Sequence, residues 1–161
     1  LMAIAPGSAP EPIFTFGKQS GSPVPSLGVR WETGDRLVDY VWDPDASRWL
    51  RYQDGRPLVD AVGVQLAADN ILVLFVGYDR SIADPNSPQA LSTGEGDGGL
   101  FREVTCTGVT WNRPFVADAW VLADDDTGVL VRLNYGTTWV ALAQLGEASI
   151  LSPADAAGLV G

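Results

Sequence analysis

Leu37-Val38-Asp39-Tyr40-Val41-Trp42-Asp43 and Ser47-Arg48-Trp49-Leu50-Arg51-Tyr52-Gln53, joined through Pro44-Asp45-Ala46, decide the fold. Both stretches are short and rich in β-branched and aromatic residues, which suit a pleated, half-buried surface. Pro44 presets one dihedral of the connection, and Asp43 and Asp45 are placed to hydrogen-bond the local backbone. The pattern predicts a β-hairpin, followed by a turn at Asp54-Gly55. Side chains alternate across a strand, so Trp49 and Arg51 share one face while Arg48, Leu50 and Tyr52 share the other. One face is expected in the core. The other would display aromatic and guanidinium groups able to stack on a sugar or clasp a carboxylate, unless the tryptophans fill the core and the arginines lie over them.

Outward from this hairpin, short apolar runs alternate with turns. Strands are predicted at 29–32, around 62–66 and at 70–78, and residues 71–76 lack polar alternation, as in a central strand buried on both faces. Residues 79–99 are polar and rich in Gly, Pro and Ser, and predict a long loop. Further hairpins are expected over 100–106 and 109–113, turning at Thr107-Gly108, and over 118–123 and 129–133, turning at 124–128; residues 137–143 form a last strand. Eighteen Gly and eleven Pro punctuate the 161 residues. The fold class is all-β, with antiparallel strands and hairpins in a sandwich or partly open barrel.

Residues 1–28 read as an extended linker with an apolar anchor at 13–16, following some upstream domain. Residues 29–146 form the β-rich domain. The tail, 147–161, carries Ser152-Pro153 and Gly158 at helix-start and helix-stop positions and predicts at most a short C-terminal helix.

Ten Lys and Arg against twenty Asp and Glu give a net charge of −10. Such a surface repels phosphate backbones and anionic headgroups, so nucleic acid is not an expected partner. The chain contains no histidine, which removes Ser-His-Asp and Cys-His arrangements and most catalytic zinc sites. Its single cysteine, Cys106, permits no internal disulfide and reads as a small buried strand residue. The longest apolar run, 71–76, falls far short of the roughly 18 residues a membrane span needs, so no membrane insertion is expected. Leu1-Met2-Ala3-Ile4-Ala5 lacks the charged and apolar regions of a signal peptide.

Gly94-Glu95-Gly96-Asp97-Gly98-Gly99 is not followed by Gly-Lys-Ser/Thr, and its two acids would repel phosphate; it reads as a turn into the next strand. Asp124-Asp125-Asp126-Thr127-Gly128 lacks the alternating spacing and distal Glu of a calcium loop and reads as a solvated hairpin tip. No metal ligand, cofactor or catalytic residue is assigned. The aromatic and arginine set gives the candidate binding residues Trp49, Arg51, Asn70, Trp111 and Arg113, with Asn70 equally suited to capping the backbone at the start of its strand. Paired carboxylates offer histidine-free glycoside hydrolysis as an alternative, with Asp43, Asp54 and Asp60 nearest the aromatic run.

Ile13-Phe14-Thr15-Phe16-Gly17, Val41-Trp42-Asp43, Trp49-Leu50-Arg51, Asp54-Gly55-Arg56-Pro57, the segment 65–73, Gly94-Glu95-Gly96, Gly108-Val109-Thr110-Trp111-Asn112-Arg113 and Gly136-Thr137-Thr138-Trp139-Val140 occur in the order found in the C-terminal part of the YerB-like lipoproteins, the DUF3048 family. The chain resembles that family over roughly residues 13–143. Thr105-Cys106-Thr107 and Tyr135-Gly136 depart from the family's usual turn residues. The resemblance implies a β-rich C-terminal domain of an exported bacterial lipoprotein, anchored through an upstream segment and preceded by an α/β domain; no enzymatic activity is established for the family. The expected function is therefore a non-catalytic, extracytoplasmic binding or interaction domain of the cell envelope, with an envelope protein or cell-wall glycan as partner. The alternatives are a carboxylate-based hydrolase acting on envelope glycans and a structural spacer that orients the upstream domain.

Overall fold

The computed structural model describes residues 11–18, 20–84 and 86–160. In chain order its strands are β1 (Val24–Pro25), β2 (Gly28–Thr33), β3 (Arg36–Asp43), β4 (Arg48–Gln53), β5 (Arg56–Pro57), β6 (Ala67–Ala68), β7 (Asn70–Phe75), β8 (Gly77–Arg80), β9 (Pro88–Leu91), β10 (Gly94–Arg102), β11 (Thr105–Arg113), β12 (Val121–Asp124), β13 (Thr138–Ala143) and β14 (Ala148–Ile150). Among the described residues one helix, α1 (Pro153–Val160), follows β14. The first sheet has the order β1-β11-β10-β7-β13, with β12 also paired to β11; the second has the order β14-β2-β3-β4-β5, with β6 also paired to β4. The two sheets pack face to face in an all-β sandwich.

Period-two burial explains the layers. Val38, Tyr40 and Trp49 of the second sheet meet Ile71, Val73, Phe101 and Cys106 of the first, in a core shared between the sheets. The next residues along the same strands face outward: Leu72, Leu74, Leu100 and Val109 pack under Phe14, Trp120, Val131 and Leu133. On the far side of the second sheet, Val41 and Tyr52 are covered by Leu151 and by Ala156 of α1. Strand β7, flanked by β10 and β13, is thus buried on both faces, as its unbroken apolar run requires. Each large side chain so buried contributes about 1.5–3 kcal/mol.

The aromatic hairpin forms in the expected register, with Trp42 opposite Trp49 and Tyr40 opposite Arg51. Asp43 Oδ1 accepts the Asp45 amide at 3.0 Å, fixing the turn. Ser152 Oγ accepts the Asp155 amide at 3.1 Å and donates to its carboxylate at 2.6 Å, a reciprocal cap that starts α1 at Pro153.

Other details differ from expectation. The glycine-rich stretch is strand, not turn: β10 begins at Gly94 and pairs with β11 from Gly94↔Arg113 to Arg102↔Thr105. Its glycines allow close packing. A Cβ on Gly98 would run into the Val73 carbonyl oxygen of the neighbouring strand, and one on Gly96 would stand 2.8 Å from Trp111 Nε1. The hairpin therefore turns at Glu103 and Val104 rather than at Thr107-Gly108, with Glu103 adopting a φ of 51°. Part of the supposed loop 79–99 is a two-stranded arm, β8 with β9. Residues 129–133 form two isolated bridges, Ala123↔Leu130 and Phe16↔Leu133, instead of a full strand. Finally, β13 lies parallel to β7, an arrangement open to it because the long excursion through β8–β12 supplies the crossover.

Strand pairing also crosses the boundaries read at 28 and 146. Val24 and Pro25 pair with β11, and β14 pairs with β2. Arg102, fully buried, ties the N-terminal segment down: it donates to the Arg132 carbonyl at 2.7 Å, the Ser20 carbonyl at 3.0 Å and Thr107 Oγ1 at 3.3 Å. Burial pushes its guanidinium pKa down. Among the described residues no helix is long and apolar enough to cross a membrane.

Candidate functional site

At one end of the sandwich the β3–β4 turn, the β10–β11 turn and the loop before β13 enclose a groove of about 490 Å³. Trp42, Ser47, Asp69, Glu103, Val104, Asn134 and Tyr135 line it. Trp42 is half-buried, resting edge-on against Trp49 at 5.4 Å, whereas Tyr135 is 78% exposed and stacks on Phe16 at 6.2 Å. Two aromatic rings, of which that of Tyr135 is largely exposed, thus border a cluster of hydroxyl, amide and carboxylate groups.

The loop that carries Asn134 and Tyr135 is held from beneath. Buried Asn70 donates through Nδ2 to the Asn134 carbonyl at 2.8 Å and to Thr138 Oγ1 at 3.1 Å, and its Oδ1 accepts the Asn134 amide at 2.8 Å. Asp69 Oδ2 accepts the Thr137 amide at 2.7 Å and faces Arg48 Nη2 at 3.4 Å. Gly136, at φ 127°, leaves room for that carboxylate, which a Cβ would strike. The groove is therefore organised before any ligand arrives.

The five residues chosen from the sequence do not come together. Trp49 is 0% exposed between the sheets, edge-on to Phe101 at 5.9 Å. Arg51 lies on the same inner face, its guanidinium 3.9 Å from the centre of the Trp139 ring. Asn70 is fully buried and shapes the groove without lining it. Trp111 belongs to the opposite core, donating to the Phe75 carbonyl at 3.1 Å. Arg113 clamps the loop after β11 by donating to the Asp118 carbonyl at 3.0 Å, to the Val116 carbonyl and to Ser92 Oγ at 3.2 Å. Trp42 and Tyr135, which face the groove, were not among the candidate binding residues, although Trp42 stands in the aromatic hairpin and Tyr135 in a turn that departs from the family's usual residues.

The alternative carboxylates are engaged locally. Asp43 holds its own turn, and Asp60 Oδ1 accepts the Val62 and Val64 amides, both at 2.9 Å. Asp54 accepts the Leu37 amide at 3.0 Å and pairs with Arg36 at 2.8 Å, and these bonds hold its carboxyl below the usual range. Asp124 is no solvated tip. It is buried, accepting from Thr127 Oγ1 at 2.6 Å and the Ser22 amide at 2.5 Å, which depresses its pKa. No cluster of metal-ligating side chains occurs among the described residues.

The profile of the family described as "Protein of unknown function (DUF3048) C-terminal domain" matches residues 27–140. The chain belongs to the DUF3048 family. In solved structures, the DUF3048 fold seen here is similar to that in the crystal structure of YerB protein from Bacillus subtilis, with a TM-score of 0.67 at 23% identity. The match covers 86% of this chain and 47% of that one, so this DUF3048 domain spans about half the length of that protein. No curated protein matches the sequence.

Proposed function

We propose that this DUF3048 C-terminal domain is a non-catalytic binding module of an exported cell-envelope protein, and that it holds cell-wall glycan in the groove bordered by Trp42 and Tyr135. The observation that carries this reading is the open ring of Tyr135 beside Trp42 on a groove about 490 Å³ in volume. Sugars offer an apolar CH face for an aromatic ring and hydroxyls for the amide, hydroxyl and carboxylate groups around it. A concave site with a few convergent polar groups is the usual form of a small-ligand site. The extracytoplasmic address is supported by membership of a family that resembles exported lipoproteins.

Binding is favoured over hydrolysis because Asp69, which with Glu103 makes up the groove's two acids, is committed to holding the loop. Glycoside cleavage with two carboxyl groups needs one to protonate the leaving oxygen and one to act opposite it. Asp69 is occupied by the Thr137 amide and Arg48, which suits an orienting acceptor. Isothermal titration of the 161-residue chain with soluble N-acetylglucosamine oligomers tests the proposal. Binding weakened at least about tenfold by Tyr135→Ala, a substitution at an exposed position that leaves the core intact, is the expected result. Equal affinity of wild type and variant, or no binding by either, would overturn it.

A further inference from the structure

Ser47 and Glu103 share a backbone conformation that side chains ordinarily avoid. Among the described residues three that are not glycine have a positive φ, Ser47, Asp54 and Glu103, each at 51°. Asp54 has a local reason for it: Asp-Gly is a favoured pair in a two-residue hairpin turn, and its carboxylate accepts from the Leu37 amide and from Arg36. Ser47 and Glu103 have no such reason. Glycine fits these positions, whereas any side chain there crowds the backbone. Ser47 Oγ reaches the Pro44 carbonyl only at 3.5 Å, too far for a good O–H···O bond, and the Glu103 carboxylate pairs with no arginine or lysine among the described residues.

What the two residues have in common is the end groove, which both line. Ser47 is the last residue of the β3–β4 connection and Glu103 the first of the β10–β11 connection, so each sheet presents one strained hairpin tip to the same space. Neither turn needs a side chain at that place. Left-handed backbone at residues other than glycine gathers at ligand sites, where what the side chain does there offsets the strain.

The two carboxylates of the groove also differ in charge balance. Asp69 faces Arg48 Nη2 at 3.4 Å and accepts the Thr137 amide, so its charge is compensated within the protein. Glu103 is exposed and uncompensated. A sugar hydroxyl or acetamido group offers it a neutral donor, whereas an ammonium group offers a charge-assisted bond roughly twice as strong.

We propose that Ser47 and Glu103 are specificity-determining contacts of the groove, and that Glu103 selects a hexosamine whose amino group is free rather than acetylated. This selection rests on the glycan reading of the groove and narrows it to de-N-acetylated stretches of the polymer. Ser47 supplies a neutral donor and acceptor for the hydroxyls that both forms of the sugar carry.

Isothermal titration of the 161-residue chain at mildly acidic pH, where sugar amines are protonated and carboxylates stay ionised, compares the pentamer of glucosamine with that of N-acetylglucosamine. Wild type should bind the amine form about tenfold more tightly. Glu103→Gln should remove that preference and leave the acetylated pentamer bound as before. Asp35→Asn, at an exposed position in the β2–β3 turn, removes the same charge elsewhere and should keep the preference. Glu103→Gly and Ser47→Gly separate a ligand contact from a turn residue. Each should raise the thermal midpoint by about 2 °C as the strain is relieved. Glu103→Gly should nevertheless lose the amine preference, and Ser47→Gly should weaken both pentamers about threefold.

Equal affinity of wild type for the two pentamers, a preference that survives Glu103→Gln, or one lost equally in Asp35→Asn would overturn the proposal. So would glycine variants that bind as wild type does, or whose midpoints fall. Failure here is separable from failure of the groove itself: an acetylated pentamer that binds, is weakened by Tyr135→Ala and is not surpassed by the amine form would keep the glycan reading and reject this selection.

Discussion

Asn70 and Asn134 exchange two hydrogen bonds, both of 2.8 Å: the Asn70 amide donates to the Asn134 carbonyl, and its carbonyl oxygen accepts the Asn134 amide. A side chain at the start of the central strand thereby pairs with the backbone of the loop that leads into β13. Asn70→Ala leaves both backbone groups without their partner and should cost about 2–3 kcal/mol of stability in urea denaturation. Hydrogen exchange at the Asn134 amide gives the local reading. Slow exchange in the wild type and fast exchange in the variant is the expected pattern, and unchanged protection would mean that Asn70 does not hold the loop.

Arg51 joins the two sheets, since it projects from β4 onto the Trp139 ring of β13. Arg51→Ala removes both the cation–π contact and the packing of the stem, with an expected loss of about 1–2 kcal/mol. Arg51→Met keeps the packing and should recover part of that loss. If chemical denaturation finds alanine and methionine equally harmless, the guanidinium adds nothing across the sandwich.

Gly98 and Gly158 should respond in opposite directions to alanine. At Gly98 the new methyl would meet the Val73 carbonyl oxygen, a backbone atom fixed by the sheet, so the variant should lose on the order of 2–4 kcal/mol or fail to fold. Around Gly158, inside α1, nothing lies within 4 Å of the added atom. Removing the helix glycine should stabilise the protein by about 0.5–1 kcal/mol. Thermal midpoints of the two variants check both signs.

Asp124 is bonded by Thr127 and by the Ser22 amide, and its folded pKa lies below the ordinary value of 3.8. A depressed carboxylate contributes stability that is fully present above its unfolded pKa and is lost as pH falls through the folded one. Asp124→Asn should therefore flatten the fall in stability below about pH 4 while lowering stability at neutral pH. A variant with the wild-type acid profile would show that these bonds do not favour the ionised form.

The fold was largely legible because its signals are local. The β-branched and aromatic enrichment in residues 37–53, with its Pro-Asp turn, and the unbroken apolar run at 71–76 each depend only on neighbouring residues, and both specify the strands observed. The glycine-rich strand was misread because its glycines answer to contacts with Val73 and Trp111, which are distant in sequence. The parallel β7–β13 pair was hidden for the same reason. Among the candidate site residues, strand parity correctly placed Trp49 and Arg51 together, yet parity does not say which face is covered. Tyr135 and Trp42 border the groove only because Asn70 and Asp69 fold a loop against the central strand, and nothing within residues 134–137 announces that.

The most direct test of the binding account is an NMR titration with soluble N-acetylglucosamine oligomers, followed at the tryptophan indole resonances. The account predicts a progressive shift of the Trp42 indole together with the Asn134 amide, while Trp49, enclosed between the sheets, stays largely unmoved. Saturating oligomer with no change at Trp42 and Asn134 would contradict it.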